Sequence, residues 1–196
     1  AGYIGLEAVE AAVNLKKEVR IIQLGDRVIP GSFDKEITDI MEAELRGHEG
    51  VSLNLNEAVS EFEGKDGKIS GVKTNKGSYP ADIVILATGV RPNTKFLEGT
   101  GIETLKNGAI VIDGRGRSSI KGIYAAGDCA TVYHKIKKEN VYIPLATTSN
   151  KIGRVVGENL AGKDREFKGT LGSAAIKVLN LEAGRTGISS DEAEKM

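Results

Sequence analysis

Apolar positions change their period several times along this chain, and each period predicts an element. Between residues 4 and 17, Leu6, Val9 and Val13 recur at helical spacing, while Ala8, Ala11 and Ala12 are small enough for a helix to lie close to a sheet. Residues 19–24, Val-Arg-Ile-Ile-Gln-Leu, predict a strand, and Gly25-Asp26 and Pro30-Gly31 punctuate the loop beyond it. A second helix is expected from about Asp34, a residue able to cap it, with an apolar stripe of Ile37, Ile40, Met41 and Leu45. Gly47 and Gly50 end that helix, and Val51-Ser52-Leu53-Asn54-Leu55 alternates like a short strand.

Three short β segments follow. Glu57 to Phe62 leads into Asp66-Gly67, a hairpin dipeptide that tolerates positive φ; Ile69 to Thr74 returns, and Lys76-Gly77 turns the chain towards Ser78-Tyr79. This meander leads to Ile83-Val84-Ile85-Leu86-Ala87, a continuous apolar run of the kind buried on both faces of a sheet. Strands are expected over 109–112 and 122–126, then a helix over 145–162 with a Gly162-Lys163 stop signal, then a strand-like stretch from Ala174 to Leu181. The fold class is α/β: a Rossmann-like NAD(P)-binding domain with a β-meander crossover, whose first strand would lie ahead of Ala1.

The start of the chain carries candidate chemistry. Gly2 and Gly5 fit the second and third glycines of a Gly-x-Gly-x-x-Gly fingerprint that opens a helix. The second glycine lets the backbone approach a pyrophosphate, the third lets the helix pack on its sheet, and the helix N-terminus offers unpaired N–H groups to the phosphate. A helix that merely begins with glycine-rich sequence is the alternative. The residue at the end of the next strand should meet the adenosine ribose; it is Gln23, which can hydrogen-bond without charge assistance. No arginine follows at once to hold a 2′-phosphate. Arg27 is the nearest and could equally be loop surface, so NADH is expected over NADPH.

Composition removes several classes. Twenty-seven basic residues balance 27 acidic ones, which supports neither a nucleic-acid nor a membrane partner. No apolar run approaches the length of a membrane-spanning helix. The one cysteine, Cys129, excludes an internal disulfide and fits a cytoplasmic protein. His48 and His134 show no ligand spacing, and no zinc, iron–sulfur or haem pattern is present, so no metal site is expected. The chain has no initiator Met and starts inside a motif, so it reads as an internal piece of a longer protein.

Three motifs occur in order: Gly2-Tyr3-Ile4-Gly5-Leu6-Glu7, Ala87-Thr88-Gly89-Val90-Arg91-Pro92-Asn93, and Gly122-Ile123-Tyr124-Ala125-Ala126-Gly127-Asp128. Together they resemble the FAD-dependent pyridine nucleotide-disulfide oxidoreductases, above all the NADH oxidase, NADH peroxidase and coenzyme A-disulfide reductase subgroup. Pro144-Leu145-Ala146-Thr147-Thr148 and Asn150-Lys151-x-Gly153-Arg154 are similar to that subgroup as well. The resemblance implies that residues 1–86 are the NAD(P)-binding domain, 87–165 the second segment of a split FAD-binding domain, and 166–196 the beginning of a C-terminal dimerisation domain.

It also implies roles, each with a plainer alternative. Thr88 and Gly89 would allow close backbone approach to a cofactor, or form an ordinary tight turn. Asp128, after Gly127, would accept a hydrogen bond from a flavin ribitol hydroxyl, or cap a helix. Leu145 and Ala146 would start a helix aimed at the flavin pyrimidine edge, or an ordinary proline-started helix. Tyr3, with Ile4 beside it, resembles the aromatic gate at the nicotinamide site, or is a loop tyrosine; Glu7 lies near the nicotinamide pocket, or is a solvated helix carboxylate. The family's redox cysteine would lie upstream of Ala1, which leaves Cys129 as a small buried hydrophobe and no catalytic residue in this chain.

The implied activity is hydride transfer from NADH to FAD and onward to a disulfide, persulfide, peroxide or oxygen, in a homodimeric parent enzyme acting on a small-molecule acceptor. NADH oxidase and coenzyme A-disulfide reductase lead. A ferredoxin-type or nitrite reductase flavoprotein, or a non-catalytic nucleotide-binding module, are the rivals. The isolated chain is expected to be inactive and to retain no FAD.

Overall fold

The structure, a computed structural model, describes residues 1–196. The elements in order are α1 (Tyr3–Asn14), β1 (Val19–Ile22), α2 (Lys35–Gly47), β2 (Val51–Asn54), β3 (Val59–Lys65), β4 (Lys68–Thr74) and β5 (Ser78–Pro80), then β6 (Val132–His134), β7 (Glu139–Val141), α3 (Ala146–Leu160), β8 (Ala174–Val178), β9 (Leu181–Arg185) and α4 (Ser190–Ala193). A 3₁₀ turn spans Lys95–Leu97. The chain divides into two compact units. No helix is long and apolar enough to cross a membrane.

The first unit comprises Ala1–Gly89, Ala174–Arg185 and Ser189–Lys195. Its β1 and β2 pair in parallel, with Val19 opposite Val51 and Ile22 opposite Asn54. Parallel strands need a crossover, and α2 supplies it. Antiparallel β3, β4 and β5 form a separate three-stranded sheet, the expected meander. Leu6 and Val9 of α1, Met41 and Leu45 of α2, Ile21 and Leu53 from the strands, and Ile176 and Val178 of β8 share one core. The β8–β9 hairpin belongs to this unit: Lys177 pairs with Glu10, and both the N–H and the side-chain amide of Asn180 donate to Glu44 at 3.1 Å.

The second unit comprises Val90–Ser173 with Thr186–Ile188. Ile110, Ile112, Ala125, Ala130 and Ile152 form its core. α3 buries Thr148 and Ile152, one turn apart on one face.

Four expectations need correction. α2 buries Thr38, Met41 and Leu45, while Ile37 and Ile40 are exposed. Thr38 tolerates burial because its hydroxyl donates to the Lys35 carbonyl at 2.9 Å, so the buried stripe is rotated by one residue. Asp34 occupies the N-cap position of α2 but makes no capping bond; its carboxylate accepts from the Ser190 N–H at 2.7 Å instead. Residues 83–87 form no strand: Ile83 and Leu86 are 76% and 68% exposed. A strand buried on both faces needs a bonded neighbour, and β1 and β2 pair only with each other. Residues 109–112 and 122–126 form no strands and reduce to isolated bridges, Ile110 with Thr104 and Ala130 and Arg117 with Tyr124, and Gly122 stands at φ +83° at the head of the second segment.

Glu57, in the link from β2 to β3, is 2% exposed. Thr74 Oγ1 donates to its Oε1 at 2.6 Å and Asn54 Nδ2 to its Oε2 at 2.8 Å. These bonds, the Thr74 hydroxyl's first, hold its carboxyl below the ordinary value of 4.5 against the opposing pull of burial. A carboxyl depressed in the folded state contributes stability that is complete above its unfolded value and is lost as pH falls through the folded value. Thermal melting should therefore weaken steeply below about pH 4.5, and Glu57→Gln should lower the melting temperature at neutral pH while flattening that acid limb. Parallel pH curves for the two proteins would exclude Glu57 as the source.

Candidate functional site

In the first unit the candidates gather at the start of α1. Gly2 is its N-cap, has no side chain to cap with, and no acidic residue follows in the first turn. The first N–H groups of the helix therefore keep their partial positive charge for an outside acceptor. Gly2 sits at φ −91°, a conformation open to any residue, and a Cβ there would meet nothing in the chain within 4 Å. A Cβ on Gly5 would make only an ordinary 3.6 Å contact with the Ala87 Cβ. Neither glycine is demanded by the chain's own sterics; Gly2 leaves open space at the helix start, while Gly5 faces Ala87.

Tyr3 is half-buried against the buried ring of Phe33, with centroids 6.4 Å apart and planes tilted by 47°. Ile4 and Glu7 are exposed on the helix surface. Gln23 lies just past β1, and its side chain reaches Ala1, the residue before the N-cap of α1. That contact brings the end of β1 and the start of α1 together. Arg27 pairs with its neighbour Asp26 at 3.6 Å. Thr88 is exposed and Gly89 adopts φ +100°, a left-handed conformation that strains any L side chain.

The second unit holds the other candidates. Gly127 adopts φ +93° in the turn after residues 122–126. No helix follows Asp128, so it is not a helix cap; its exposed carboxylate accepts from the Ser149 hydroxyl. Leu145 is the N-cap of α3 and Ala146 its first residue, with no side-chain cap and no acidic residue in the first turn. Pro144 lies outside the helix, so α3 is not proline-started. The Ser149 bond brings Asp128 to the first turns of α3. Cys129 is half-buried and its thiol faces the Ala126 carbonyl at 3.4 Å. Burial, and then the charge of Asp128, raise the Tyr142 phenol above its ordinary value of 10.0.

Two contributions escaped the sequence reading. Ser149 carried no signal beyond membership of a small polar run. Glu57 entered the sequence reading only as the start of a β segment, and its burial among Asn54, Thr74 and Tyr79 reveals it.

A parallel pair bridged by α2, with an uncapped glycine-started helix beside a strand end, is an arrangement found in dinucleotide-binding units. The family profile described as pyridine nucleotide-disulphide oxidoreductase matches residues 1–153. A CoA-dependent NAD(P)H sulfur oxidoreductase of Pyrococcus abyssi is 45% identical over 194 residues, covering 99% of this chain and 43% of that protein. The water-forming NADH oxidase of Lactobacillus brevis, solved bound to NADH, superposes with a TM-score of 0.90 at 38% identity, over 100% of this chain and 43% of its own. An engineered mutant of that oxidase, a water-forming NADPH oxidase bound to NADPH, gives 0.90 at 37%, over 100% of this chain and 43% of its own. This chain belongs to the FAD-dependent pyridine nucleotide-disulphide oxidoreductase family and spans less than half the length of these relatives.

The two kinds of glycine should respond differently to alanine. Gly5→Ala, inside a helix and free of clash, should stabilise the fold by up to about 1 kcal/mol. Gly127→Ala, at positive φ, should destabilise it by about 1 kcal/mol or more. Urea unfolding measures both, and equal shifts of the same sign would refute the distinction.

Proposed function

We propose that the full-length protein passes hydride from NADH to FAD and the electrons on to a small-molecule acceptor, as an NADH oxidase or a coenzyme A-disulfide reductase. The observation that carries this reading is the uncapped start of α1 at Gly2 and Gly5, with Gln23 beside it at the end of β1. In this reading residues 1–86 are the NAD(P)-binding domain, 87–165 one side of the FAD-binding domain, and 166–196 the opening of a dimerisation domain, in a cytoplasmic homodimer. The flavin, when bound, supplies the two-electron chemistry between nicotinamide and acceptor. The chain's residues bind and orient. The α1 N–H groups hold the pyrophosphate of NADH, and Gln23 meets its ribose. Thr88, Gly89 and Gly127 let main chain approach the flavin. Asp128 holds a ribitol hydroxyl, and the open start of α3 at Leu145 and Ala146 favours negative charge on the adjacent ring.

In anaerobic mixing, the FAD-loaded full-length protein should lose its oxidised flavin absorbance on adding NADH. Oxygen, peroxide, coenzyme A disulfide or a persulfide should restore it, and the fastest of these identifies the acceptor. A flavin that NADH does not bleach would end the proposal.

NADH over NADPH follows from the neutral side chain of Gln23. The engineered NADPH oxidase carries substitutions of Gly, Asp, Ala, Met and Pro spaced by 18, 1, 1 and 5 residues. The same intervals from Gly5 reach Gln23, Leu24, Gly25 and Pro30, and the glycine and proline at the two ends coincide. Leu24→Arg with Pro30→Arg should shift the ratio of kcat/KM towards NADPH by about tenfold or more. An unmodified protein that already prefers NADPH would refute the reading and implicate Arg27. Cys129→Ser should leave turnover within a few-fold; a loss of about 10³, the scale of a lost covalent catalytic group, would make Cys129 catalytic.

A further inference from the structure

Gln23 is gripped by main chain on both sides. Its N–H donates to the Asn54 carbonyl at 2.9 Å, and its carbonyl accepts from the Glu57 N–H at 3.0 Å. One step on, Asn56 N–H donates to the Gly25 carbonyl at 2.9 Å. The two gripping residues are tied to each other through their side chains by the Asn54 Nδ2 to Glu57 Oε2 bond of 2.8 Å. Thr74 Oγ1 locks the other carboxylate oxygen at 2.6 Å. The second hydrogen of the Asn54 amide reaches the Tyr79 hydroxyl at 3.1 Å. Arg20 donates to Asn54 Oδ1 at 3.0 Å and lies 4.2 Å from the centre of the Tyr79 ring. No buried side-chain polar atom is left without a partner.

We infer that Glu57 is a positioning residue for dinucleotide binding: its buried, fully bonded carboxylate fixes Asn54 and its own main chain, and through them the peptide of Gln23 that presents the ribose contact. This rests on the reading of Gln23 given above. Docking the meander alone does not call for a buried charge, because apolar residues of similar volume hold such a joint at least as well. A carboxylate with bonds to both oxygens adds direction. It sets which way residues 54 and 57 face, and these two residues hold Gln23. The consequence is selective: loosening Glu57 lets Gln23 move without touching the nicotinamide end of the site.

The test is steady-state kinetics on the FAD-loaded full-length protein with four single variants and one double. Glu57→Gln and Thr74→Val should each raise KM for NADH by about tenfold with kcat at saturation within about twofold, a loss of binding and not of chemistry. Thr74→Ser keeps the hydroxyl and should behave as the unmodified protein. Gln23→Ala should raise KM by a similar factor, and adding Glu57→Gln to it should raise KM little further, because the two share one route. If Gln23→Ala raises KM while Glu57→Gln and Thr74→Val do not, the positioning role is overturned and the ribose contact stands. If Gln23→Ala leaves KM unchanged, the ribose reading falls and takes the route with it. Additive effects in the double variant, or losses in kcat at constant KM, also overturn the role. Should Glu57→Gln fail to fold, the Thr74→Val and Thr74→Ser pair decides by the same criterion.

Discussion

A carboxylate taken out of water must be answered by donors or it unfolds the protein around it, and the first unit is arranged to answer Glu57. Its partners come from three places. Asn54 ends β2, Thr74 ends β4, and Tyr79 lies in β5. Val51 and Leu53 of β2 join the unit's apolar core, whereas no residue of β4 or β5 does. The large apolar side chains that are fully buried lie elsewhere, with Leu6, Met41 and Leu45 on α1 and α2 and Val178 on β8. The meander is thus joined to the parallel pair by polar bonds, where direction counts, and the helices are joined to the pair by apolar burial, where it does not. That division places the rigid, directional part of the unit at the strand end carrying Gln23.

The two helices that face candidate ligands, α1 and α3, share an omission. Both begin without a side-chain cap and without an acidic residue in the first turn, at a stabilising contribution forgone of about 1 kcal/mol at Leu145 and a few tenths of that at Gly2. α4 shows the contrast, with Ser189 and Glu192 forming a complete capping box. A short terminal helix is capped by its own sequence, whereas the two longer helices leave their N–H groups open. The field at those open ends is positive, suited to a pyrophosphate at α1 and to a reduced flavin ring at α3.

The sequence was most legible where period and burial coincide. α1, β1 and the meander were readable from Leu6 and Val9, from the run 19–24, and from turn dipeptides such as Asp66-Gly67. Residues 83–87 failed for an instructive reason. An apolar run records that burial is wanted, but pairing depends on which other strands lie alongside, and that is not local information. α2 failed in phase because Thr38 satisfies its own hydroxyl and can be buried, which a hydrophobicity pattern does not register. Among the candidate site residues, the glycines and Asp128 stood out because motif spacing marks main-chain approach. Glu57 and Ser149 were not, since their importance lies in contacts 17 and 21 residues away along the chain.

Glycines in such a chain are easily lumped together as flexible, yet here they divide by cause. Gly89 and Gly127 stand at φ +100° and +93°, so the backbone itself asks for glycine, with or without a ligand. Gly2 stands at φ −91° with nothing in the chain near its absent Cβ, so neither conformation nor packing asks for it. At a helix start glycine costs only about a few tenths of a kcal/mol relative to Ser or Asp, so the fold tolerates this bare position cheaply. The space its missing side chain leaves lies over the uncapped N–H groups of α1, where an anion gains most. The absence of a side chain at Gly2 and the absence of a cap on α1 therefore leave the same space open, a geometry that suits the approach of an anion to main chain.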